Sequence, residues 1–150
     1  MATRNLLNLL IVEDDQNLAN SLRLVIPEAF KVYVTQKSSL LPDHVFFHAA
    51  LVDMHIESTP EKGADGPSVI ERLVKKNPQI EVVAMSGDLD RALMEKAIFA
   101  GASRFLAKPL SEEEVKAVIS KIEAYWNLRL TSYDQSLKKK QLVGKSMQIE

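Results

Sequence analysis

Four places in the chain hold residues that could do chemistry together: the acidic run Glu13-Asp14-Asp15, the acid Asp53, the pair Ser86-Gly87, and Lys108-Pro109. Each follows a short apolar run, respectively Leu6 to Val12, Ala49 to Val52, Ile80 to Met85, and Ser103 to Ala107. If those runs are strands of one parallel sheet, the four sets meet at its carboxyl edge, where sheets of that kind bind ligands. Gathered carboxylates repel: unit charges about 4 Å apart cost roughly 1 kcal/mol in water and about 4 kcal/mol at an effective dielectric near 20. A hard divalent cation relieves that repulsion, and Mg²⁺ is the usual choice where carboxylates share a coordination shell with phosphate oxygens. Lys108 supplies a second, fixed positive charge. Phosphoryl transfer rests on positioning and on neutralising the oxygens of the transferred group, so a site of this make-up suits it, with Asp53 as nucleophile.

Taken singly, each of these residues has an ordinary role. Asp14 or Asp15 fits a helix N-cap, and Asp15 fits the cap of the first helix. Asp53 and Ser86-Gly87 fit turns, Lys108 a solvated surface lysine, and Phe105 a core aromatic. Their occurrence together, in this order and at strand ends, favours the joint reading. His44 and His48 have no ligand spacing with an acid and are assigned surface or packing roles. Gly144-Lys145-Ser146 is no phosphate-binding loop, because that motif needs a glycine where this chain has Lys139 and a strand in front of it.

The elements that must position these groups follow from periodicity. The four apolar runs fit buried parallel strands, and Lys31 to Thr35 alternates in part, as a strand near a sheet edge does. Leu18, Leu22 and Val25 mark a helix over 16–26 that stops at Pro27. Pro67 opens a second, with Val69, Ile70, Leu73 and Val74 on its apolar face and Asn77-Pro78 at its end. A third spans 89–100 and is closed by Gly101 as a C-terminal cap. Ser111 before Glu112-Glu113-Glu114 gives the last helix its start, and Val115, Val118, Ile119, Ile122 and Trp126 trace its face. The segment 38–48, with Pro42 inside it, is expected to form a short irregular helix. Strand and helix thus alternate five times, which predicts an α/β chain with a five-stranded parallel sheet and helices on both faces.

Composition bounds the function. At 150 residues the chain suits one domain with an appendage. A formal charge of -1 provides no long-range pull toward nucleic acid or anionic lipid, so direct nucleic-acid binding and membrane association are not expected. With no cysteine, disulfides and thiolate metal sites are excluded. No apolar run near the start is long enough for a signal core or a membrane span, which makes a cytoplasmic location the expectation.

The acidic cluster after strand one, Asp53 after strand three, Ser86 after strand four and Phe105-Leu106-Ala107-Lys108-Pro109 at strand five resemble the response-regulator receiver family, over roughly 5–126. That resemblance implies a flavodoxin-like doubly wound (βα)5 fold and a phosphoacceptor signalling domain of a two-component system, not a classical enzyme. It implies phosphorylation of Asp53 by a histidine kinase, with Mg²⁺ bound by Asp14, Asp53 and the backbone carbonyl of His55, and Glu13 assisting through water. Ser86 and Lys108 match the residues that hold the phosphoryl group, and Phe105 matches the aromatic switch. The Lys108-Pro109 bond is expected to be cis. His55 and Asp88 match positions that tune hydrolysis of the acyl phosphate. The helix after strand four, strand five and the last helix match the family's signalling face.

One departure is the loop 55–66, longer than receivers commonly have and lacking their Met-Pro pair after the phosphorylated acid. Its Pro, Gly and charged residues fit a solvated excursion that could gate the site or meet a partner. The receiver is assigned to 1–126, a helical extension and linker to 127–141, and the start of a truncated second domain to 142–150. The stretch Leu142 to Glu150 resembles the opening of the AAA+ domain in enhancer-binding activators of the nitrogen-regulator type, which implies control of transcription. An extended last helix favours a homodimer.

Three rivals are weaker. A receiver-like module that signals without phosphorylation does not need the full acidic, hydroxyl and lysine set. Phosphatases of the haloacid-dehalogenase type carry their nucleophile after the first strand with a second Asp two residues on, whereas here the residue two after Asp53 is His55. A flavodoxin-like nucleotide binder requires glycines after strand one, where this chain has acids.

Overall fold

The computed structural model describes residues 6–37, 41–56, 65–87 and 91–149, with the side chains of 132–149 left aside. The elements run β1 (Leu7–Val12), α1 (Gln16–Val25), β2 (Phe30–Thr35), β3 (Ala49–Asp53), α2 (Gly66–Lys76), β4 (Glu81–Ser86), α3 (Arg91–Ala100), β5 (Arg104–Ala107) and α4 (Glu112–Ile149). All five strands are parallel, in the order β2-β1-β3-β4-β5. This is the doubly wound, flavodoxin-like order, with β2 at one edge as its partial alternation indicates. Strand order reverses between β1 and β3, so the crevice for a ligand opens at the carboxyl ends of those two strands.

Side-chain parity divides the core. Leu9 and Ile11 of β1, Leu51 of β3 and Met85 of β4 face α1 and α4, where Ala19, Leu22, Val115, Ile119, Ile122 and Trp126 cover them. Leu10, Val12, Val52 and Ala84 face the other way, against Val69, Ile70 and Leu73 of α2 and Ala97 of α3. Strands buried on both sides are apolar at consecutive positions, which is why they read as runs.

The caps follow local chemistry. Asp15 accepts from the amides of Asn17 and Leu18 at the start of α1, and Asp65 does the same for Ser68 at the start of α2, ahead of Pro67. Gly101 takes a φ of 120°, which lets its amide and that of Ala102 close back on the Ala97 carbonyl at 3.1 and 2.9 Å. Ser111 Oγ accepts from the Glu114 amide at 3.4 Å. The Lys108-Pro109 bond is cis.

One expectation needs correction. The described residues of the β2–β3 connection, 41–48, contain no helix, so among the described residues four helices rather than five accompany the sheet; 38–40 lie outside the described residues. The reason is that neighbours take up the backbone of this segment. The His48 amide donates to the Asn8 carbonyl at 2.9 Å, while the carbonyls of Phe46 and Phe47 accept from the side chains of Asn8 and Asn77, both at 2.9 Å. Pro42 also has no amide to give a helix. The backbone of α4 stays helical through Lys138-Lys139-Lys140 to Ile149, so the extension expected over 127–141 is helical along its length.

Candidate functional site

Three carboxylates meet in the crevice. Glu13 and Asp14 follow β1 and Asp53 ends β3, and one ligand oxygen from each lies within 4.8 Å of the others. Glu13 and Asp53 are 1% and 3% exposed, so bulk water does little to screen them. Asp53 is oriented by its own chain, since the His55 amide donates to its Oδ1 at 3.0 Å. Glu13 is held likewise by the Asp15 amide, 3.2 Å from Oε1.

Lys108, carried past β5, reaches back across the sheet end. Its Nζ lies 3.0 Å from Glu13 Oε2 and 3.2 Å from Asp53 Oδ2, and its amide donates to the Ser86 carbonyl at 2.9 Å. Burial alone would push the Glu13 carboxyl up, and with Asp53 adding to it the value rises from 4.5 to about 7, against the opposing pull of Lys108 and the Asp15 amide. For Lys108 burial pulls the ammonium down, but the Glu13 hydrogen bond and the charges of Asp53 and Glu13 outweigh it and raise the net value.

Ser86 ends β4 one residue beyond Met85, the register partner of Asp53. It is 6% exposed and shares a small cavity with Met54, Leu93, Met94 and Phe105. Phe105 is half-buried and packs on the α2–α3 side of the sheet. The crevice thus holds Glu13, Asp14, Asp53 and Lys108 together, with Ser86 and Phe105 adjoining on β4 and β5. His55 is exposed, and its amide rather than its ring engages Asp53. Asp88 and 57–64 of the long loop lie outside the described residues.

Sequence reasoning missed two features of the site. Lys108 bridges two acids rather than pairing with one, which no spacing announces. Gly66 packs so tightly on the strand end that a Cβ there would lie 2.5 Å from Met54 Cα. A glycine directly before the Pro67 helix start is the one signal that pointed to it.

Oxygen donors alone, three of them carboxylates, suit a hard cation such as Mg²⁺ and not a soft or imidazole-seeking metal. Among the described residues no helix is long and apolar enough to cross a membrane.

Comparison with known proteins bears on this arrangement. The family model for the response regulator receiver domain matches residues 9–120. No curated protein matches the chain. Among solved structures, the signal receiver domain of a putative Luxo repressor protein from Vibrio parahaemolyticus superposes with a TM-score of 0.72 at 16% identity, covering 85% of this chain and 98% of that one. A CheY-like receiver domain protein from Methanospirillum hungatei gives 0.66 at 22% identity, over 81% and 99%. A response regulator from Burkholderia pseudomallei, solved with a phosphorylated aspartic acid, a calcium ion and citrate, gives 0.62 at 23%, over 82% and 74%. The match spans every strand of the sheet and most of what packs on it, and the chain belongs to the response regulator receiver domain family, the signalling domain of two-component systems.

Proposed function

We propose that this chain accepts a phosphoryl group on Asp53 from a histidine kinase and passes the event on through Ser86, Phe105 and the face formed by α3, β5 and α4. The observation that carries the proposal is the position of Lys108, whose ammonium stands between Glu13 and Asp53 at 3.0 and 3.2 Å. Two buried acids share one cation there, and the Asp53 oxygen that faces Lys108 keeps a lone pair beside fixed positive charge. That oxygen attacks phosphorus, an O–P bond forms as the N–P bond of the phosphohistidine breaks, and the departing imidazole takes up a proton.

Asp14, Asp53 and the His55 carbonyl would hold Mg²⁺, with Glu13 assisting through water. Bound there, the ion would neutralise phosphoryl oxygens. Lys108 pairs with the incoming group from the other side, and the hydroxyl of Ser86 donates to it. The phosphoryl group, which carries about -1.5 to -2 where the carboxylate carried -1, draws Ser86 inward, and the space Ser86 vacates admits Phe105. The phosphorylated aspartic acid and calcium ion of the Burkholderia regulator support this chemistry for the fold.

The helical extension of α4 supports a homodimer, and the AAA+-like stretch at 142–150 supports a place in a transcription activator of the nitrogen-regulator type. A cytoplasmic location and no direct nucleic-acid contact belong to the same proposal, the latter supported by the formal charge of -1. Incubation with acetyl phosphate and Mg²⁺ followed by intact mass tests the central claim. One added phosphate is expected on the wild type and none on Asp53→Asn; equal labelling of both, or of neither, overturns it.

A further inference from the structure

At the edge of the sheet opposite Asp53 the chain enters β3 through His48, and several groups close on that residue. Its carbonyl accepts from the Glu81 amide at 3.0 Å and from Trp126 Nε1 at 2.9 Å. Its imidazole Nδ1 accepts from the Asn8 amide at 3.0 Å. The ring stands edge-on to Trp126, with centroids 4.9 Å apart at 86°. A backbone amide can only donate, so Nδ1 must keep its lone pair and His48 is the neutral Nε2–H tautomer. Burial works in the same sense, lowering the imidazole from its ordinary 6.5.

Trp126 is the point at which α4 leaves the core. Val115, Ile119, Ile122 and Trp126 form its buried face, whereas Leu128 and Leu130 are 70% and 40% exposed, and the helix continues to Ile149. Whatever holds Trp126 therefore holds the root of that extension.

We propose that His48 is a proton-controlled latch on this root. A proton on Nδ1 sets an N–H against the Asn8 N–H, drives the ring from its seat beside Trp126 and loosens the turn of α4 that Trp126 anchors. The exit of α4 then responds to acidification without any event at Asp53. The groups facing the latch do not offset the new charge. From β4 comes Glu81, whose carboxylate reaches toward the start of β5, accepting from Ser103 Oγ at 2.6 Å, and exerts no pull on the imidazole. From α4 come Tyr125 and Arg129, the guanidinium lying 5.6 Å from the Trp126 ring and donating to Tyr125 Oη at 2.9 Å. From β1 and the segment before β3 come the uncharged Asn8 and Phe46, the latter edge-on to His48 at 5.0 Å. A second cation beside Arg129 adds repulsion.

The chain has one Trp and three His, so one titration reports on the latch. The full unphosphorylated chain is followed from neutral pH downward by Trp126 emission and by amide exchange in the α4 turn around Trp126. Both are expected to show a one-proton transition centred below 6.5, and opening of that turn, corrected for intrinsic exchange, increases by about tenfold per pH unit across it. His48→Asn, or His48→Gln if the first fails to fold, abolishes the transition, whereas combined His44→Gln and His55→Gln leaves it. Emission that titrates without faster exchange overturns the latch, as does a transition that survives in a folded His48 variant. Nitrogen-15 NMR of the wild type decides even if both variants unfold: the Nε2–H tautomer at neutral pH is expected, and an Nδ1–H tautomer or an imidazolium overturns the proposal.

Discussion

A Cβ built on Gly66 would lie 2.6 Å from the carbonyl oxygen of Asp53, so the first turn of α2 presses directly on the strand end that bears the proposed acceptor. The nearest obstacles are backbone atoms, which cannot swing aside as a flexible side chain would. Gly66→Ala is therefore expected to cost about 1–3 kcal/mol and to slow labelling of Asp53 by acetyl phosphate. Urea denaturation and timed intact mass check the two effects, and wild-type values in both would show that the contact is slack.

Lys108→Met keeps the length of the side chain but leaves Glu13 and Asp53 facing each other without a shared cation. A loss of about 1.5–3 kcal/mol is expected in chelator, the range for hydrogen bonds to charged groups. Millimolar Mg²⁺ should recover part of it, because the ion and Lys108 answer the same repulsion. Paired urea curves with and without Mg²⁺ measure this, and an equal loss in both conditions contradicts it.

Glu13 gives the site a pH dependence of definite sign. Its folded value, raised by burial from 4.5 to about 7, lies above the unfolded one, so the folded chain holds that proton more tightly. Its contribution to stability is fully present below 4.5 and is lost as pH rises through about 7. In chelator the stability of the wild type relative to Glu13→Gln should fall over that interval, and Mg²⁺ should stabilise the wild type more on its alkaline side. Urea midpoints of both proteins across the interval give the answer; a constant difference between them refutes the assignment.

Asp15 stands beside the acidic cluster but works on α1, accepting from the Asn17 and Leu18 amides at 3.0 and 3.2 Å. Asp15→Ala should cost about 1 kcal/mol, the usual worth of an N-cap, with labelling of Asp53 at the wild-type rate. Asp14→Ala should do the reverse, with little loss of stability and a large loss of Mg²⁺-dependent labelling. Denaturation and mass on the two variants separate the neighbouring acids.

The strands were legible because burial on both faces makes them continuously apolar, and the helix ends because Asp15, Gly101 and Ser111 act locally. The crevice was legible because parallel strands deliver their carboxyl ends to one edge, which places Glu13, Asp14, Asp53 and Lys108 together from order alone. The β2–β3 connection was not, since its conformation is set by Asn8 and Asn77, which are distant in sequence. Helix through 127–149 was hidden by the charged run Lys138-Lys139-Lys140, which fits a solvated helix as well as a linker. The near-complete burial of Glu13, and with it the elevated carboxyl, belongs to tertiary packing alone.

The length of α4 beyond Trp126 turns it into a mechanical arm. Ile149 lies twenty-three residues beyond Trp126, a span of about 34 Å at 1.5 Å per residue. A swing of about 10° at the pivot would carry the far tip sideways by about 6 Å over an arm of that length, more than a full helical turn. Angular changes too slight to disturb the packing around Ile119 and Ile122 would therefore decide whether the distant ends of two such arms meet or miss in the proposed homodimer.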